Sequence, residues 1–181
     1  LLIITNSLEK RMKKDKYDLL LITEKTLKEQ LKSNILPLLP MVIESKTLIN
    51  NGLLTCYKET SISKRNLKWY MGVAKSGLKV NKSVIELKKE QESPYVPDAV
   101  AYSLVLYLRS LYLVDKLIKK QRWNNKELIE LIKKISGGIS AYEGYLRVKE
   151  DKKAVDSLPI AQAERLYDYI NMEIKKQEKI R

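Results

Sequence analysis

A chain of 181 residues, 44% hydrophobic and 31% charged, has the composition of one ordinary domain or two small ones and not of a disordered segment. It has no His and a single Cys, which excludes histidine bases, Ser-His-Asp triads, histidine metal sites, cysteine zinc clusters and intrachain disulfides. Its net charge of +13, from 35 Lys and Arg against 22 Asp and Glu, suits phosphate-bearing partners or reflects a plain lysine-rich surface.

Leu1–Thr5 and Tyr17–Ile22 are apolar runs of strand length. They predict two buried strands joined by a basic turn or helix. Glu24–Ser33 predicts a short helix. Pro37 and Pro40 break the chain before Met41–Glu44, read as a further strand with Glu44 at its end. Ser45 is placed to cap a short helix that stops at Asn50-Asn51-Gly52. Leu53–Tyr57 then predicts the last strand, with Cys56 buried in it. A reducing cytoplasm is the simplest compartment for one unpaired cysteine. The chain opens on Leu1 and not Met, so residues are expected to precede it.

After Ser61 the pattern turns helical. Ser63 can cap a long helix with Leu67, Met71, Ala74 and Leu78 on one face. Pro94 and Pro97 separate it from a helix over about Asp98–Lys120, with Asp98 as N-cap. The apolar run 99–114 is interrupted by Arg109 and bounded by Asp98 and Asp115, which predicts a buried central helix and no membrane span. Trp123-Asn124-Asn125 is a turn, and Asn125 caps Lys126–Ile135, which ends at Gly137-Gly138. Ile139–Lys149 is another helix, and Pro159 at a first helical position opens the last, to about Lys179. The fold class is therefore α+β: a small mixed-sheet unit over residues 1–60, then an all-α bundle over 62–181.

At ~100° per residue, Lys64, Lys68, Lys75, Lys79 and Lys82 fall within about 60° of one another on the helix after Ser63. Trp69 and Val73 lie on the far side of this row. Two readings stand. The row follows a polyanion, or it is a solvated face whose aliphatic stems cover the core. No base-reading motif accompanies it.

The segment Asn6-Ser7, then Asp18-Leu-Leu-Leu-Ile22, resembles the active-site motif of the minimal nucleotidyltransferases of the DNA polymerase beta superfamily. In that family a strand ends in Gly-Ser, a helix follows, and the next strand carries Asp-x-Asp. The later runs, residues 101–116, 141–149 and 158–166, resemble the HEPN-type helical domain fused to such proteins in archaea. The resemblance implies phosphate binding by Asn6, Ser7 and Lys16. It also implies a catalytic and metal-binding Asp18, with Glu44 as a further magnesium ligand. Asn6 stands where Gly is usual and Lys16 where the first aspartate is usual, so the motif is degenerate. The first unit is expected to lack its first helix. Active HEPN ribonucleases carry Arg-x-x-x-x-His. Here Arg109 is followed by Val114, and no RNA cleavage is expected. Arg109 either pairs with a carboxylate of a neighbouring helix or faces a ligand cleft.

The functional reading is a degenerate nucleotidyltransferase-like protein that binds nucleotide or nucleic-acid phosphates. One alternative is an active enzyme that moves a nucleoside monophosphate with magnesium. The other is an interaction protein whose helical half dimerises or takes a protein partner, as in toxin–antitoxin pairs.

Overall fold

The computed structural model describes residues 1–33, 35–36 and 38–179. The chain divides into two units, Leu1–Asn66 and Leu67–Arg181, and the division falls inside one long helix. The fold is mixed α+β, with a small three-stranded mixed sheet near the start and a helical remainder.

In the first unit the central strand of the sheet is the one that carries a buried side chain, Ile22. Strands β1 (Leu2–Thr5) and β3 (Tyr17–Thr23) pair in parallel, Leu2 opposite Leu20 through Thr5 opposite Thr23. The expected basic turn or helix between them is instead strand β2 (Lys10–Lys14), antiparallel to β3 on its other side. The run Lys-Arg-Met-Lys-Lys has one apolar residue and thus no period of its own. Pairing with the open edge of β3 decides its conformation. Asp15-Lys16 closes the hairpin, with Asp15 at φ 54°, a left-handed position that Asp tolerates.

Helix α1 (Glu24–Ser33) forms as expected and buries Leu27 and Leu31. The Thr23 hydroxyl accepts from Thr26 N at 3.1 Å at its start. The strand expected at Met41–Glu44 is helix α2 (Leu39–Glu44), which buries Leu39 and Val42 three residues apart and carries Pro40 in its first turn. Pro37 lies outside the described residues. Residues 45–50 form no helix. The last predicted strand is helix α3 (Asn51–Lys58), started by Asn50 and not stopped there. The Asn50 side chain accepts from Leu53 N at 3.3 Å, and asparagine suits either end of a helix. Cys56 is exposed and not buried, because it sits on the outer side of this helix with its thiol donating to Leu53 O.

Helix α4 (Lys64–Glu90) begins as expected, with Asn66 N donating to Ser63 Oγ at 3.1 Å. In the second unit its inner face buries Leu67, Met71, Ala74, Leu78 and Ile85. Helix α5 (Asp98–Ile118) is the buried central helix expected, and it packs against α7 (Ser140–Lys149) and α8 (Ile160–Lys179). Gly144 permits the α5–α7 approach, since a Cβ there would stand 2.8 Å from Ala101 Cβ. Helix α6 (Asn125–Ser136) is capped by Asn124, not Asn125, and ends at Gly137 with φ 82°.

The unit is not all-helical. Strands β4 (Tyr95–Pro97) and β5 (Asp156–Pro159) form an antiparallel pair. Pro94 and Pro97 hold the first extended, and Pro159 ends the second instead of opening α8. Among the described residues no helix is long and apolar enough to cross a membrane.

Candidate functional site

Asn6 and Ser7 lie in an exposed bend after β1. The next element along the chain is β2 and not a helix, so the helix that the nucleotidyltransferase motif places directly after its serine does not follow Ser7. Lys16 is in the hairpin turn, with its ammonium 5.5 Å from the centre of the Tyr17 ring. Asp18 lies on β3 opposite Lys13, diagonal to Arg11. Both of its carboxylate oxygens accept from Arg11, Oδ2 at 2.6 Å and Oδ1 at 3.3 Å. These hydrogen bonds hold the Asp18 carboxyl below the usual carboxylate range and raise the Arg11 guanidinium.

The acid the sequence reading missed in this unit is Glu9. It accepts from the hydroxyls of Thr26 and Thr23, which lower its pKa, and it sits at the start of α1, where negative charge is favoured. Glu44 ends α2. Asp18 is already neutralised by Arg11. Among the described residues no group of three or more acidic, Cys or His side chains could hold a metal ion. A magnesium ion at Asp18 would need a second carboxylate or substrate phosphates to stay.

In the second unit Arg109 is exposed, and its Nη1 donates to the Tyr145 hydroxyl at 3.4 Å. Of its two readings, pairing with a carboxylate is not found among the described residues. Val114 is fully buried. The buried ion pair is elsewhere. Asp98 accepts from Arg147 Nε and Nη2, both at 2.8 Å, from Ser157 Oγ at 2.9 Å and from Val155 N at 3.0 Å. Arg147, more than any other group, holds its carboxyl down at about 2. Asp98 was expected as an N-cap. It instead ties α5 to α7 and β5, a role set by residues some fifty positions away.

The lysine row is where the expected residues do come together. Lys64, Lys68, Lys75, Lys79 and Lys82 are all exposed on α4, Lys64 in the first unit and the others in the second. Lys82 meets Glu86 at 3.5 Å. Lys64, Lys68 and Lys79 form no ion pair among the described residues.

The chain matches no family model, no curated protein and no solved structure. Its own geometry is what supports a reading.

That geometry adds a feature of α4 that the sequence reading touched only at Trp69 and Val73. Trp69, Val73, Val80 and Leu87 are all exposed, 48%, 43%, 64% and 50%. They lie opposite the buried face. Ser76 and Ser83, also exposed, lie on the same side between them. Helix α5, where an uncovered apolar patch would have favoured dimerisation, exposes only Leu106 and Ile118 among its large apolar side chains.

Proposed function

We propose that this protein binds nucleic-acid phosphates along the lysine row of α4 and does so without catalysis. The carrying observation is that four exposed lysines of the second unit, Lys68, Lys75, Lys79 and Lys82, share one face of α4. From Lys68 to Lys82 the row is about 21 Å long at 1.5 Å per residue, more than one nucleotide needs and suited to a run of backbone phosphates. Lysine meets phosphate as a point charge, so the contact is electrostatic and indifferent to sequence. What supports binding without transfer is the Arg11–Asp18 pair, which occupies the carboxylate that a magnesium-dependent step would use.

The test is the salt dependence of binding to a labelled DNA duplex, read by anisotropy. Each phosphate contact contributes about −0.9 to the slope of log K against log salt. Reversing Lys68, Lys75 and Lys79 to Glu is expected to weaken binding and flatten the slope by about three. The melting temperature should stay put, since these side chains are exposed. A slope unchanged in the triple variant would reduce the row to a solvated face.

A further inference from the structure

Helix α4 is apolar on two opposite sides. One side builds the core of the second unit. The other carries Trp69, Val73, Val80 and Leu87, with Ser76 and Ser83 between them, all exposed. Their alternating steps of four and three residues are the a/d spacing of a coiled-coil seam. A helix apolar on both sides is one built to sit between two neighbours. The seam runs about 27 Å from Trp69 to Leu87, the length of a partner helix of about 20 residues.

We propose that this outer face of α4 docks an amphipathic helix of another protein, one whose apolar seam is bordered by Asp and Glu. The charges beside the seam choose the partner. Arg65 and Lys79 border it on one side, with Lys68, Lys75 and Lys82 in the next row, and all are exposed. Glu86, held by Lys82, and Glu90 close that border at its C-terminal end. The other border, Tyr70, Gly77 and Val84, is uncharged. A carboxylate-edged helix is complementary to this arrangement. A second copy is not: each chain carries +13, and antiparallel self-pairing sets Lys79 against Lys79.

The probe is a three-heptad peptide with Leu at its a and d positions and Glu at e and g, used where it is unstructured alone. Mixed with the full chain it should gain helicity by circular dichroism and perturb the fluorescence of Trp69. The same peptide with Lys in place of Glu should not bind. Substituting V80S and L87S together, which leaves every charge in place, should weaken binding by roughly tenfold or more. Both sites are exposed, so the melting temperature should hold, and W69S gives an independent second variant. The V80S/L87S protein should keep its salt-sensitive DNA binding, which separates failure of this inference from failure of the lysine-row reading. Equal binding of acidic and lysine peptides, or undiminished binding by V80S/L87S, overturns the proposal. So does a concentration-dependent dimer abolished by V80S/L87S, which assigns the seam to a second copy. Seam-dependent binding to phosphatidylserine vesicles would likewise overturn it, assigning the seam to a lipid surface.

Discussion

Arg11 meets Asp18 at 2.6 Å in the first unit, and Arg147 meets Asp98 at 2.8 Å in the second. The two pairs share their chemistry and the direction of their effect, since arginine lowers the carboxyl pKa in both. They differ in what surrounds them. The Asp18 side chain is 49% exposed and that of Asp98 is 0% exposed. Water screens the first pair and competes for its hydrogen bonds, so its contribution to stability is small. Without Arg147, Asp98 would be left as a buried charge with Ser157 Oγ and Val155 N as its remaining donors. The same pair is thus a surface feature in one unit and a structural pin in the other.

The largest expected effect comes from that difference. Removing the guanidinium with Arg147→Ala should lower the unfolding free energy by roughly 3–5 kcal/mol, the usual cost of orphaning one partner of a buried pair. Urea denaturation measures it. A loss as small as that of a surface substitution would show that Ser157 and Val155 N suffice for Asp98.

Acid gives a smaller effect. The folded Asp98 carboxyl titrates at about 2, below its ordinary value of 3.8, so protonation favours the unfolded chain. The stabilisation is present above the unfolded pKa and is lost as pH falls through the folded one, about 2 kcal/mol between roughly pH 4 and pH 2. Unfolding curves of the native chain and Asp98→Asn should differ in slope over that window. Parallel pH profiles would remove Asp98 from the acid transition.

The smallest effect is expected at the exposed pair. Asp18→Asn should leave the melting temperature within error of the native chain. Calorimetric titration with magnesium alone should be silent in both proteins. A stoichiometric magnesium signal lost in Asp18→Asn would mean that Arg11 yields the carboxylate to a metal.

The site residues show where sequence reading works and where it stops. The lysine row was legible because a helix converts residue spacing directly into angle, and α4 formed where its pattern placed it. The Asn6-Ser7 to Asp18 region was less so. Its strands were legible as apolar runs, but the segment between them carried no period and took its conformation from β3. Glu44 and Cys56 were misplaced on strands because a short apolar run fits a helix or a strand equally well. Arg109 looked like the arginine in need of a carboxylate. Arg147 has one instead, because its helix faces the head of α5 while Arg109 faces outward.

What the sequence by itself determined is the set of long helices from α4 to α8, their caps to within a residue or two, and the alignment of the lysines. These depend on contacts between residues three or four apart, and such contacts are written in local spacing. The tertiary structure alone decided that residues 10–14 are a strand, that β4 finds β5, and that Asp98 is pinned by Arg147. Each of these depends on partners distant in the chain, and local periodicity carries no information about which distant surface a segment will meet.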